Sequence, residues 1–380
     1  MIPYGKQDIN QADIKAVVEV LQSDFITQGP QVPLFEKIVS KYCGAKYSVA
    51  VNSATSALHI ACLAIGLGNN DYLWTSPNSF VASANCGLYC NAKIDFVDID
   101  KRTYNLSAIK LEQKLIQAKK NNKLPKVVIP VHFAGQSCDM KKIYSLSKEY
   151  GFKIIEDASH AIGGKYLNKS IGNCQYSDIT VFSFHPVKII TTAEGGLATT
   201  NDAKLEEKMQ LFRSHGITRN SLSMINPSES LWYYEQIDLG FNYRMTDLQA
   251  ALGISQMKRL DEFISRRHVL QKRYNQLLDD SIVIKPYQDK DCFSSFHLYP
   301  VQININKSRQ QVFSLFREKG VGVNVHYIPI HMQPYYQKLG FKQGDFPNAE
   351  AYYSNTISLP LYSSLSFESQ DQVINITNKI

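Results

Sequence analysis

The chain has 380 residues, 44% of them hydrophobic and 20% charged, the composition of a soluble globular protein too long for one small core. Its 41 basic and 34 acidic residues leave a formal net charge of +7. That excess is scattered, with no long Lys/Arg block and no aromatic-basic pattern, so it argues against a nucleic-acid module and suits a small anionic substrate. No apolar stretch is long enough to span a bilayer, and the polar start MIPYGKQDINQAD lacks the apolar core of a signal peptide, so a cytoplasmic location without a membrane partner is expected.

Residues 8–22 carry helical periodicity through Ile14, Val17, Val18 and Leu21, followed by a turn at Thr27-Gln28-Gly29-Pro30 and a second helix over 33–42 that stops at Gly44. A short alternating strand, 46–51, then runs into Asn52-Ser53-Ala54-Thr55-Ser56, after which Ala57, Leu58, Ala61, Cys62 and Ile65 repeat at helical spacing. Strand, hydroxyl-rich turn and helix together aim free backbone N–H groups and the positive end of the helix dipole at whatever lies above the turn, for which a phosphate is the natural guest. Ser53 and Thr55 as mere helix caps are the alternative. Further strands are expected at 94–97, 127–131 and 153–156, separated by helices such as 106–119 and 140–150. This alternation implies a mostly parallel sheet covered on both faces, with functional groups at the carboxyl ends of its strands. Asp157 stands at such an end, either as a functional carboxylate or as a helix cap.

Residues 179–184 form an alternating buried strand that Pro186 ends, and Lys188 sits on the loop that follows. Thr191, Thr192, Glu194 and Gly195-Gly196 turn the chain back into a strand over 197–200. A lysine between two buried strands is partly desolvated, which lowers its pKa and prepares an amine nucleophile; a solvated surface lysine is the alternative. From Thr246 one long helix is expected to run to about Leu278 and to link a large domain, 1–250, to a smaller α+β domain, 251–380. In the smaller domain strands are expected at 296–303 and 321–327, and helices near 308–319, 348–354 and 368–377. The seven cysteines are odd in number and scattered, as free buried thiols would be. His326 and His331 suit no common metal motif, so no metal is expected.

Lys188 on a sheet-edge loop, a phosphate-type turn at 54–56 and a strand-end Asp157 together suggest pyridoxal phosphate. The residues that carry this run through QGP…FE (28–36), NSATSAL, SPNSFVAS, EDASHA, SFHPVK…EGG and GFNYRMTDLQAALG. With VHYIPIH and FPNAEAYYSNTISLPLY, the sequence resembles the DegT/DnrJ/StrS sugar aminotransferases nearly end to end. The resemblance implies an α/β protein with the type I fold of pyridoxal-phosphate-dependent aminotransferases. It implies that Lys188 tethers the cofactor covalently and later shuttles a proton, and that Asp157 holds the pyridine nitrogen protonated. Phe80 would stack on the ring, His160 would lie near the ring hydroxyl, and Ala54, Thr55 and Ser183 would hold the phosphate. Asn242 would reach the phosphate of a second subunit, making a homodimer with shared sites.

Within that family, TQGPQVPLFEKIVSKYCGAKYSVAVNSATSAL, SFHPVKIITTAEGG and VHYIPIHMQPYY are most similar to the aminotransferases of pseudaminic acid biosynthesis. The implied substrates are glutamate and UDP-2-acetamido-2,6-dideoxy-beta-L-arabino-hex-4-ulose, with His326, Tyr327 and His331 near the sugar or uracil. Another UDP- or dTDP-linked keto sugar is the alternative, as is a non-catalytic sensor that keeps the cofactor pocket. Relatives that act as dehydratases carry histidine in place of the lysine, and Lys188 speaks against that class. Many members have Gly where Ala193 stands and Asn where Ile189 stands, which leaves the shape of this loop open.

Overall fold

A computed structural model describes residues 1–228 and 230–380. Seven strands make its central sheet: β1 (Tyr47–Val51), β2 (Tyr72–Thr75), β3 (Lys93–Phe96), β4 (Val127–Ile129), β5 (Lys153–Asp157), β6 (Ile179–Ser183) and β7 (Gly196–Thr200), in the spatial order β1-β7-β6-β5-β4-β2-β3. All neighbours are parallel except at β7, which runs against both β1 and β6. This is the mostly parallel, helix-flanked sheet of an α/β protein. β6 and β7 are buried along their whole length, as strands covered on both faces must be. Alternation within β6 divides the two cores: Ile179 and Val181 pack with Val49, Val51 and Leu58, while Phe182, and Phe184 just beyond the strand, pack with Phe35, Val39 and Phe263.

Four helices position the site. α1 (Gln11–Leu21) and α2 (Gln31–Cys43) precede the sheet, and α3 (Ala54–Ile65) and α4 (Ala82–Tyr89) follow β1 and β2. Asp247 is fully buried and joins two distant motifs, its Oδ1 and Oδ2 accepting from the Gly29 and Gln31 N–H groups at 3.1 Å each. The segment 270–374 carries a core of its own, with Leu270, Tyr274, Tyr299, Val301, Phe316, Ile357 and Val373 packed together around a three-stranded antiparallel sheet.

The structure corrects two of the expected elements. The helix expected from Thr246 to Leu278 is two helices, Asp247–Met257 and Leu260–Leu277. Arg259 leaves helical geometry at φ −108°, ψ 3°. Its guanidinium instead bonds Asp8 Oδ1 at 3.0 Å and the buried Asp13 Oδ2 at 2.7 Å, turning the chain between them. The boundary expected after residue 250 lies inside the first of these helices. Residues 321–327 form no strand; their strand-type backbone pairing among the described residues is limited to isolated bridges, Ile2 to Val321 and Asn324 to Ser358. Its apolar alternation reflects burial between two other pieces of chain, without the ladder that would make it a strand.

At Gly196 the sheet meets the turn before α3 with no room to spare. A Cβ there would lie 2.4 Å from Ala54 N and 2.4 Å from the Ser53 carbonyl carbon. Gly196→Ala should therefore lower the thermal midpoint of the purified protein, by the about 1–3 kcal/mol that overpacking costs. Gly68→Ala, where a Cβ meets nothing within 4 Å, should leave it in place. Equal midpoints for the two variants would show that the turn yields freely.

Candidate active site

Because β1, β5 and β6 run the same way, their carboxyl ends share one edge of the sheet. Asp157 is the last residue of β5 and is buried. Its Oδ2 accepts from Ser83 Oγ at 2.6 Å and its Oδ1 from the Ser159 N–H at 3.1 Å. Ser83 is held in turn by Ser79 Oγ, 2.7 Å away in the turn that precedes α4. The carboxylate is thus fixed in direction before any ligand arrives. Beyond β1, Ser53 caps α3 in an extended conformation and accepts from the Ser56 N–H at 3.1 Å. The first-turn N–H groups of Ala54 and Thr55 have no partner within the helix and face outward with its dipole. Glu36 locks the strand beneath: its Oε1 accepts from the Ala50 N–H at 2.7 Å and from Arg213 Nη1 at 2.6 Å.

Between β6 and β7 the chain makes a closed loop over 184–195. Phe184 N–H donates to Gly195 O, and Thr192 N–H to Phe184 O, both at 2.9 Å. Ala193 adopts φ +66°, so the position where glycine is common in relatives keeps the left-handed turn despite its Cβ. The loop carries Lys188 half-buried above the sheet edge. Burial pulls its pKa down to about 8, opposed by the Asp157 carboxylate, which acts to raise it.

Opposite the lysine stands a wall of rings. His160 Nδ1 accepts from the Ala134 N–H at 3.3 Å, which leaves the proton on Nε2 to be donated to Tyr327 Oη at 3.0 Å. Tyr327 then has its own hydroxyl proton left to offer. Burial, joined by the Lys188 charge, keeps His160 well below the ordinary histidine range. His326 is pushed down to about 3 by burial and Lys188, and its Nδ1 lies 2.8 Å from Ser358 Oγ. His160, His297 and His326, three of the four imidazoles that line this cavity, are therefore uncharged at neutral pH. Tyr4 closes the wall 5.4 Å from the His326 ring. It is brought there by an N-terminal strap in which Ile2 N–H donates to Gly320 O at 2.9 Å, Gly322 N–H to Ile2 O at 2.7 Å and Leu361 N–H to Tyr4 O at 3.1 Å.

These walls enclose a cavity of about 560 Å³. Lys188, Asp157, Ala54, Thr55, Phe80, His160, Ser183, His326 and Tyr327 all line it. Phe80 is 60% exposed, so one ring face is free to stack on a flat ligand. Two expected residues lie elsewhere. His331 is buried against Phe96 and Phe346 with Nε2 2.9 Å from Glu350, which is a packing role. Asn242 is exposed, and its backbone is bridged to Ser214. Sequence reasoning missed Tyr4, Glu194, His297 and Asn324 in the lining, and Ser83 behind Asp157. None of these left a local periodic signal, since Ser79 lies in the turn before α4 and Ser83 inside it.

A strand-end carboxylate, a partly deprotonated lysine and a helix N-terminus on one cavity of this sheet define the class: a pyridoxal-phosphate-dependent aminotransferase. The model of the DegT/DnrJ/EryC1/StrS aminotransferase family matches residues 7–378, and the chain belongs to that family. It is 39% identical to the spore coat polysaccharide biosynthesis protein SpsC of Bacillus subtilis, over 100% of this chain and 97% of that one. It is 36% identical to a UDP-4-amino-4,6-dideoxy-N-acetyl-beta-L-altrosamine transaminase of Campylobacter jejuni, over 100% and 98%. Among solved structures, PseC of Helicobacter pylori, an aminotransferase of pseudaminic acid biosynthesis, superposes with a TM-score of 0.89 at 32% identity, covering 100% of this chain and 98% of that one. The family works with pyridoxal phosphate, and similar solved proteins include pyridoxal and pyridoxamine phosphate forms. The residues present fit that cofactor: an amine to tether it, a fixed carboxylate for its ring nitrogen and a helix N-terminus for its phosphate.

A pKa near 8 leaves roughly a tenth of Lys188 as free amine at pH 7, against far less than a hundredth for an ordinary lysine. In the cofactor-free protein, trace acetic anhydride labelling of Lys188, read by mass spectrometry, should rise through pH 7–8 and level off above about 9, while surface lysines continue to gain reactivity. Asp157→Asn removes a charge that raises the pKa and should move that plateau to lower pH. A Lys188 profile that follows the surface lysines would contradict the desolvation described.

Proposed function

We propose that the enzyme transfers an amino group from glutamate to C4 of a UDP-linked 4-keto sugar, UDP-2-acetamido-2,6-dideoxy-beta-L-arabino-hex-4-ulose, and that it does so in the cytoplasm. The observation that carries the reaction is the placement of Lys188 and Asp157 on one cavity beside the α3 N-terminus. When bound, pyridoxal phosphate supplies an electron sink for the carbon that loses its proton. Lys188 Nζ, with a pKa near 8, is matched to take a proton from the donor's Cα and return it near neutral pH. Asp157, fixed by Ser83 and the Ser159 amide, is oriented to hold the ring nitrogen's proton. Ala54, Thr55 and Ser183 would bind the phosphate, Phe80 would cover the ring and His160 would stand by its hydroxyl. The substrate reading is supported by the similarity to the Campylobacter transaminase and the Helicobacter aminotransferase and by the neutral hydrogen-bonding wall of Tyr327 and His326. The similarity to SpsC keeps another nucleotide-linked keto sugar as the competing reading.

The charge on the cavity wall supports a homodimer with shared sites. Among the described lining residues Lys188 is the single lysine or arginine. A cofactor phosphate and a nucleotide diphosphate each bring about two negative charges, more than one tether lysine balances. The exposed Asn242, outside its own subunit's cavity, would contribute to the phosphate of the other.

Incubation with glutamate, cofactor and the L-arabino keto sugar should give the 4-amino product by mass spectrometry, and Lys188→Ala should abolish it. Efficient conversion of a dTDP-linked ketone with none of the UDP sugar would replace the substrate. For the shared site, inactive Lys188→Ala mixed with inactive Asn242→Ala should regain part of the activity through hybrid dimers, in which one site carries neither change. No recovery after demonstrated subunit exchange would return Asn242 to its own subunit.

A further inference from the structure

Among the described residues, His297 is the one imidazole of the cavity wall left without a hydrogen-bond partner. It is 4% exposed, its Nδ1 is sealed with no hydrogen bond, and Nε2 makes none with any described residue. The ring packs 4.4 Å from His160 and lines the cavity beside Lys188. Its backbone is tied on both sides: His297 N–H donates to Ala134 O at 2.9 Å, and the neighbouring Ser295 Oγ donates to His160 O at 2.9 Å.

Behind it stands Arg267. This guanidinium is 2% exposed and has no carboxylate within ion-pair distance among the described residues. Nη1 instead donates to three carbonyl oxygens, Phe296 at 3.1 Å, His297 at 3.2 Å and Leu361 at 2.8 Å. A buried cation answered only by dipoles leaves a positive potential on the cavity side of that backbone, which favours an anionic guest. The same charge, with burial and Lys188, keeps the His297 imidazole neutral.

Of the two ring nitrogens, the sealed Nδ1 has no acceptor to receive a proton, so the proton belongs on Nε2, toward the cavity. We propose that His297 is a binding residue for the amino donor, its Nε2–H donating to a carboxylate oxygen of the dicarboxylate while Arg267 supplies the field behind it. This rests on the aminotransferase reading of the site. A neutral donor also suits the alternation of guests. A bare arginine on the wall would be a desolvated, unpaired cation whenever the uncharged sugar ring of the nucleotide-linked substrate replaced the dicarboxylate there, whereas an imidazole N–H serves either oxygen.

The test is titration of the cofactor-loaded enzyme with glutarate, an unreactive dicarboxylate, read by calorimetry. Wild type should bind it, and His297→Leu should bind it about tenfold to a hundredfold more weakly, the loss of one hydrogen bond to a charged acceptor. His297→Gln, whose amide nitrogen reaches the place of Nε2, should bind within about threefold of wild type. Each variant should keep its borohydride-fixable cofactor, which separates this inference from the role of Lys188. Equal affinity of wild type and His297→Leu would overturn the inference, as would weakening that His297→Gln does not rescue or loss of the cofactor from His297→Leu. Failure of wild type to bind glutarate would overturn the dicarboxylate assignment itself, while Lys188→Ala, tested for transfer, would still judge the reaction.

Discussion

The site depends on one close approach, that of the Gly196 backbone to the Ser53–Ala54 backbone. β7 runs backward between β1 and β6, so its first residue faces both the end of β6 and the turn that opens α3. Only a residue without a side chain lets the lysine loop and the helix N-terminus stand that close. Amine and phosphate cradle are then placed by the sheet register itself, and Asp157 is placed by the same register one strand further on. The three groups to which the proposed function gives the tether, the ring nitrogen and the phosphate are thus set by hydrogen bonds in the sheet, which are stiffer than any loop.

Electrostatics then divides the cavity. On the sheet side lie the charged partners, Lys188 and Asp157. On the opposite side lie rings kept neutral by burial, His160, His297 and His326, with Tyr4 and Tyr327 between them. Desolvation alone would lower the lysine's pKa further, and Asp157 holds it near 8. The result is an amine that can exchange protons close to neutral pH while the wall facing the substrates stays uncharged.

Much of this was legible in the residues because the chemistry sits in contiguous motifs. SFHPVK…EGG holds the end of one strand, the lysine and the glycines of the return, and NSATSAL holds a strand end, a cap and a helix start, so short-range spacing was enough. The missed features depend on chain segments far apart in sequence. Tyr4 reaches the cavity because its backbone is held at Leu361. His297 is placed by Arg267 and Ala134, and neither pairing leaves a local period. His326 and His331 looked alike in VHYIPIH, yet one lines the cavity and the other is paired with Glu350 among aromatic rings. The helix break at Arg259 was invisible for the same reason: the carboxylates that turn it, Asp8 and Asp13, come from the other end of the chain.

The strap that carries Tyr4 bears on how the protein is made. Ile2 and Tyr4 leave the ribosome long before Gly320, Gly322 and Leu361, the residues whose carbonyl and amide groups they pair with. The sheet and the turn before α3 have all their strands by Thr200 and can form while synthesis continues. The ring wall cannot, because its first tyrosine waits for Leu361, made long after the sheet. A nascent chain therefore makes every strand of the sheet before the residues that complete the ring wall, and the cavity closes only when Ile2 and Tyr4 meet Gly320, Gly322 and Leu361.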